Sequence, residues 1–460
     1  MRWSPLQRSR VQTEAAPARQ KTPQAGATGE AKARATPRQP RNTGPGSPAE
    51  GREPGGRERR RARSEPAASD VRRLPPGGLA ASLEYFAPCP RGLEALLANE
   101  LAGLGAAAIE PGRGGVAFRG ERELAWRVNL WSRLAIRVLW RVGHGRYRDE
   151  DDLYRAALAL PWPRWFALDR SIAVRTVAHQ SPLRSLKFTT LKIKDAICDR
   201  FRQECEARPN VDAREPDVPV LAYLERDQYQ LYIDLSGAPL NRRGHRLEPA
   251  AAPLNENLAA GLLILAGWNP NIPLLDPMMG GGTLLSEAAM LALDIAPGFK
   301  RHFAFERLSD FDRIAWVRLR KDAEAARRPA TPLPIYGCDI DPAMVRATRI
   351  NLKAAGVLDC VATDQADALD LYPPEPAGIL VSNPPYGVRL EAERGFYRLL
   401  GDTLKQRFAG WTACFLSADP EFPKHIGLKA RRRTPLYNGA LDCRLYEYAL
   451  VEGSMRTPQE

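Results

Sequence analysis

Residues fit for chemistry concentrate in the second half of the chain. In LLDPMMGGGTLLSEAA, Asp276 and Pro277 close an apolar run, Gly280, Gly281 and Gly282 form a turn, and Thr283 opens a helical pattern. Glycines in such a turn let the backbone approach a ligand closely, and a helix N-terminus offers free N–H groups. The spacing is not G-x-G-x-x-G, and no G-K-[ST] follows to hold phosphates. About sixty residues on, IYGCDID ends a second apolar run at Asp339. A carboxylate at that strand end is placed to accept from both hydroxyls of a ribose. Asp341 opens the next helix and is a second ligand-side candidate, with helix capping as its competing role. In TDQADALDL, Asp367 follows a third short run, where its carboxylate suits an adenine amino group.

The most specific stretch is GILVSNPPYGVRL, an apolar run leading straight into Asn383, Pro384, Pro385 and Tyr386. Proline at 384 forces Asn383 into an extended conformation, and the two prolines stiffen the turn and remove two donors. What remains is a ledge of acceptors, the Asn383 side-chain oxygen and the Pro384 carbonyl, beside an aromatic face. That ledge suits a planar amine whose lone pair is delocalised into a ring. Two accepted hydrogen bonds hold the NH2 group while the nitrogen rehybridises toward an electrophile, and Tyr386 can stack on the base, worth about 1–3 kcal/mol.

The elements that must position these residues follow from periodicity. From Pro253 a helix (ENLAAGLLILAGW) leads into short apolar strands, PLLD, PIYGCDI, GILVSN and ACFLSA, alternating with helical stretches. Strands with little polar alternation, each followed by a helix, predict a mostly parallel sheet covered on both faces. The ligand of such a doubly wound α/β domain sits at the carboxyl ends of its strands. Upstream, LEYFAPC, GGVAFRG, IRVLWRV, SIAVRTVA and the paired stretch VPVLAYLERDQYQLYIDLSG read as strands among amphipathic helices, an α+β unit without a catalytic cluster. Residues 1–80 are rich in Arg, Pro, Gly and Ala and too poor in large apolar side chains to offset ordering entropy, so disorder is expected there.

Composition limits the partners. The chain has a formal net charge of +13, yet Met1 to Pro75 holds seventeen Lys/Arg against seven Asp/Glu, which is most of that surplus. The folded part is nearly neutral, so a nucleic-acid surface there must be a local patch. Arg184, Lys187, Lys192 and Lys194 cluster on and before one helix, and Arg242, Arg243 and Arg246 sit at the entry to the second half; both clusters are candidate RNA contacts. Seven cysteines without a CxxC pair and five scattered histidines predict neither a metal site nor a disulfide framework. No apolar run approaches a membrane span, and no secretory signal opens the chain, so a cytoplasmic location is expected.

The order DPxxGxGT, GxDID, an acidic third motif and NPPYG resembles class I N-methyltransferases that act on amino groups of nucleic-acid bases. More narrowly, the chain resembles the THUMP-bearing bacterial 23S rRNA guanine-N2 methyltransferases, through FAPCPRGLEALL, RPNVDAREPD, LSGAPLNRRGHR, DPMMGGGTLLSEAAMLALDIAPG, SNPPYG and NGALDC, over about Leu83 to Glu452. The resemblance implies a tail (1–80), a ferredoxin-like segment (81–123), a THUMP RNA-binding domain (124–235) and a Rossmann-like catalytic domain (236–455). It implies S-adenosylmethionine as cofactor, held by Asp276, Pro277, Gly280, Gly282, Thr283, Asp339, Asp341, Asp367 and Asn383. Asn383, Pro384, Pro385 and Tyr386 become the catalytic group, and 23S rRNA the partner. Larger relatives carry a second methyltransferase behind this one, and no second activity is expected here. The chain departs from the family at Met279, Gly281 and Asn255, changes that bear on efficiency more than on class. Two rival readings stay open: an N6-adenine methyltransferase, which shares NPPY, and a non-catalytic RNA-binding assembly factor with a degenerate catalytic fold.

Overall fold

The computed structural model describes residues 82–248, 254–384 and 390–452, with side chains for all but 390–394. The tail 1–80 lies outside these, as do Pro385 and Tyr386. Two seven-stranded sheets organise the rest. The first contains β1 (Leu83–Pro88), β2 (Ala107–Gly112), β3 (Gly115–Gly120), β4 (Leu139–Arg146), β5 (Ile172–His179), β6 (Val218–Glu225) and β7 (Gln228–Asp234), in the order β2-β3-β1-β4-β7-β6-β5. β1 alternates buried and half-buried residues, and β6 does likewise, the signature of a sheet covered by helices on one face. The sheet runs unbroken across residue 123, because β1 pairs with β4 through Tyr85–Trp140 and Phe86–Leu139. β2 was absent from the sequence reading. It is an exposed edge strand with a register shift and no apolar alternation, so periodicity carries no signal for it.

The second sheet contains β8 (Leu274–Asp276), β9 (Ile335–Asp339), β10 (Ala362–Gln365), β11 (Gly378–Ser382), β12 (Trp411–Ser417), β13 (Arg432–Asn438) and β14 (Leu441–Ala449). Its order is β10-β9-β8-β11-β12-β14-β13, with the first five strands parallel and the final hairpin antiparallel. This is the doubly wound α/β domain expected from the apolar strand runs. Every residue of β8 and β11 is buried, as strands covered on both faces must be.

The two halves share one hydrophobic core, which takes in Leu93 and Leu134 from the first and Leu258, Leu262 and Leu285 from the second. The helix Glu256–Leu265 is buried from its first residue through Leu263. Its Gly261 permits the closest approach: a Cβ there would lie 2.5 Å from Leu93 Cδ1.

A buried polar hub fastens this junction. Arg243 Nε sits 3.1 Å from Glu287 Oε1, and both side chains are almost wholly shielded from solvent. Arg243 also donates to the carbonyls of Leu240 (2.8 Å) and Arg133 (2.6 Å). Arg133, from the first half, donates to the carbonyls of Met290 and Ile295 at 3.2 and 3.0 Å. Arg301 holds the connecting segment through the carbonyls of Ala238, Pro239 and Arg242. The expectation that Arg243 contacts RNA is therefore corrected. Its guanidinium is spent inside the protein, where no phosphate reaches it. Glu287→Ala leaves this cation buried and unpaired, so it is expected to cost about 3–5 kcal/mol of stability, read by urea unfolding of the whole chain. Glu287→Gln, which keeps an acceptor, should cost clearly less.

Candidate active site

The carboxyl ends of β8, β9 and β11 meet around the glycine turn. After Asp276 the chain turns through Gly280 (φ +50°) and Gly282 (φ +74°), left-handed conformations that favour glycine. The turn is fastened from behind. Gly280 N–H donates to Asp339 Oδ2 at 2.9 Å, Thr348 Oγ1 donates to Gly280 O at 2.6 Å, and Asn351 Nδ2 donates to Gly281 O at 3.0 Å. A Cβ on Gly282 would meet Thr348 at 2.6 Å, whereas one on Gly280 would meet nothing within 4 Å. One glycine is thus required by packing, and the other fronts open space, a cradle from which the helix Thr283–Ala292 starts.

Asp339 ends β9 with Oδ2 on Gly280 N–H and Oδ1 on Asp341 N–H (3.0 Å). Each oxygen keeps a second lone pair for a ligand hydroxyl. Asp341 is the N-cap of the helix Pro342–Ala355, its Oδ1 accepting from Ala343 N–H at 2.8 Å. Capping, its competing role in the sequence reading, is what the structure shows. Asp367 lies just past β10, half-buried, with Oδ1 accepting from Leu369 N–H at 2.9 Å.

Asp276 is buried at the tip of β8. Its Oδ1 accepts from Ser382 Oγ at 2.8 Å and from Met278 N–H at 3.3 Å. Burial raises its pKa most; Ser382 and the Met278 N–H hold it down, and the Asp339 charge adds a further rise, leaving it at about 7. Beside it, Asn383 follows β11 with a side-chain oxygen that is cut off from solvent and has no hydrogen-bond partner among the described residues. Buried acceptors are nearly always paired, so this one waits for a donor. Pro384 is buried next to it. The structure brings Asp276, Gly280, Gly282, Thr283, Asp339 and Asn383 to one end of the sheet. Ser382, Thr348 and Asn351 also serve the site, and the sequence reading did not name them. Their residue types are common, and only strand and helix pairing reveals their partners.

The candidate RNA contacts divide. Arg184 and Lys187 are exposed before and at the start of the helix Leu186–Cys205, and Arg242 is exposed at the junction. Lys192 is paired with Asp151 at 2.9 Å, and Lys194 with Asp195. Arg246 is half-buried, bridging Glu256 (3.2 Å) and Thr283 Oγ1 (3.0 Å) at the first turn of the Thr283 helix.

Comparison with known families matches residues 243–447 to the RMKL-like methyltransferase domain, 147–234 to the THUMP domain and 84–139 to the RlmL ferredoxin-like domain. The ferredoxin-like match thus runs past residue 123. A Synechocystis sp. protein named as an RNA methyltransferase is 40% identical over 370 residues, covering 80% of this chain and 96% of that protein. The chain belongs to the THUMP-bearing, RMKL-like family of S-adenosylmethionine-dependent methyltransferases. The ribosomal RNA large subunit methyltransferase K/L of Syntrophotalea carbinolica is 40% identical over 387 residues, covering 81% of this chain. This chain spans 54% of that relative, about half the length of the K/L proteins it matches. A solved structure described as a methyltransferase complexed with SAH has a TM-score of 0.75 at 31% identity, covering 81% of this chain and 99% of its own. Another, from Listeria monocytogenes and described as a predicted N6-adenine-specific DNA methylase, has a TM-score of 0.74 at 32% identity, covering 80% and 97%. Among the described residues no helix is long and apolar enough to cross a membrane.

The family's cofactor suits the residues present: an open glycine cradle at Gly280, a strand-end carboxylate at Asp339, and an unpartnered acceptor at Asn383. The raised pKa of Asp276 has a consequence for stability. The unfolded carboxyl titrates near 3.9, so the folded state holds the proton more tightly. The stabilisation is full below about pH 4 and is lost as pH rises through about 7. Asn at 276 does not titrate. Relative to the parent, Asp276→Asn should therefore gain a few kcal/mol between pH 4 and pH 8, measured by urea unfolding across that range. A gap that stays constant with pH means Asp276 is ionised throughout.

Proposed function

We propose that the chain transfers a methyl group from S-adenosylmethionine to the exocyclic N2 amine of a guanine in 23S rRNA. The observation that carries this reading is the buried, unpartnered oxygen of Asn383 at the tip of β11. In this reading Asn383 Oδ1 and the Pro384 carbonyl accept the two amine hydrogens, and Tyr386 stacks on the base. Asp339 takes the ribose hydroxyls, Asp367 the adenine amino group, and Asp276, Pro277, Gly280, Gly282 and Thr283 wall the cofactor cradle. Asp341 contributes by capping the helix that braces the turn. S-adenosylmethionine supplies an already activated methyl group, so the residues mainly align the amine and exclude water. No strong base is required first, because the nitrogen becomes far more acidic once methylated.

The RNA assignment draws on the THUMP match and on the K/L relatives, whose names specify large-subunit ribosomal RNA. Of the candidate contacts, Arg184, Lys187 and Arg242 are exposed and can meet phosphate, while Lys192, Lys194 and Arg246 have intramolecular partners. A target base in a loop or single strand is favoured, since extruding a paired base costs a few kcal/mol. The second reading, N6-adenine methylation, has the Listeria neighbour's description in its favour, and the same ledge accepts that amine.

Single-turnover transfer of labelled methyl to protein-free 23S rRNA, followed by nucleoside analysis, separates these readings. N2-methylguanosine is expected from the parent chain. Asn383→Ala should slow transfer by a hundredfold or more, about 3 kcal/mol of transition-state stabilisation, with cofactor affinity nearly unchanged. Asp339→Ala should instead weaken cofactor binding strongly in calorimetry. N6-methyladenosine as product decides for the second reading, and full activity in Asn383→Ala removes the amine-ledge mechanism.

A further inference from the structure

The residue that precedes Asn383 carries an interaction the proposed chemistry does not yet use. β8 and β11 are paired in parallel through Ile379–Leu274 and Leu380–Leu275, and that pairing stops one residue short of Asp276. β11 is held on its other side by β12 as far as Ser382–Phe415. Beyond these points the tip of β8 and the tip of β11 have no backbone ladder between them. Ser382, fully buried, closes the gap by donating from Oγ to Asp276 Oδ1 at 2.8 Å. The next residue is Asn383, whose oxygen has no partner among the described residues. The Ser382 hydroxyl therefore links the strand end that leads into the glycine turn to the strand end that presents the amine acceptor.

We propose that Ser382 is a positioning residue for methyl transfer, setting the spacing between the cofactor cradle and Asn383 through its hydrogen bond to Asp276. This rests on the amine-ledge reading above. The arrangement also makes the link sensitive to the charge on Asp276. The groups facing that carboxyl are the Ser382 hydroxyl on β11, the Met278 N–H in the turn, and the Asp339 carboxylate and buried Cys338 thiol on β9. Of these, only the hydroxyl and the N–H favour the ionised form. A cationic cofactor in the cradle favours it too, so cofactor affinity should rise with pH through the ionisation of Asp276. Removing the hydroxyl takes away a donor to a charged group and moves that ionisation to higher pH. A merely space-filling serine would have no such effect, because a small void slows the reaction equally at every pH.

The test measures S-adenosylmethionine affinity by calorimetry from pH 5.5 to 9, and single-turnover methyl transfer at pH 9, in the whole chain. The variants are Ser382→Ala, Ser382→Cys, which keeps the volume with a weaker donor, and Ser382→Thr, which restores the hydroxyl. The affinity midpoint is expected to move up by about one pH unit in Ser382→Ala, less in Ser382→Cys and little in Ser382→Thr. Transfer at pH 9 should fall about tenfold or more in Ser382→Ala, with affinity at that pH within about threefold of the parent. A midpoint unmoved in both Ser382→Ala and Ser382→Cys overturns the proposal. Asn383→Ala, run in parallel, keeps the two readings apart: if it retains full activity the ledge fails, whatever Ser382 does.

Discussion

Arg243 and Glu287 form an ion pair with almost no access to water, and the relation between the two halves of the chain turns on it. Such a pair adds little net stability compared with a well-packed apolar contact, since both ions lose their hydration. What it imposes is orientation. Glu287 lies on the helix that leaves the glycine turn, while Arg243 also holds the backbone of Arg133 in the first half. Arg133 in turn grips one carbonyl on that helix, at Met290, and one just past its end, at Ile295. The helix that defines one wall of the cradle is thus registered against the ferredoxin-like part of the first half.

A second constraint acts at the strand tips. Asp276, Asp339 and Asn383 are polar groups that a fully buried parallel sheet tolerates only at its carboxyl end, where the ladders run out and ligands enter. Their partners are economical: Gly280 N–H serves Asp339, Ser382 serves Asp276, and Asn383 is left with an acceptor to spare. In the proposed function that spare acceptor is the one that meets the amine.

Much of this was legible in the sequence because it rests on local rules. The apolar strand runs, the glycine turn before Thr283 and the Asn383–Pro384 junction are short-range patterns, and each lies where it was expected. What escaped depends on distant partners. Arg243 looks like its neighbours Arg242 and Arg246 until Glu287, 44 residues away, is brought beside it. Ser382 is an ordinary strand serine until Asp276 arrives from another strand. Asp341 offered two roles at one position, and the bond from Ala343 N–H displays the capping one. The β13–β14 hairpin carried a readable signal in Gly439, which takes φ +63° in the two-residue turn between the paired Asn438 and Leu441.

The strand order of the first sheet has its own consequence. β1 is the first described strand in the chain, yet it sits third in the sheet, flanked by β3 on one side and β4 on the other. Here a chain shortened past Pro88 would lose an interior strand, parting β2-β3 from β4-β7-β6-β5 and baring the flanks of β3 and β4 at once. Unpaired flanks of this kind are templates for pairing between molecules. A chain that begins beyond Leu83 therefore gives up part of the interior of this sheet.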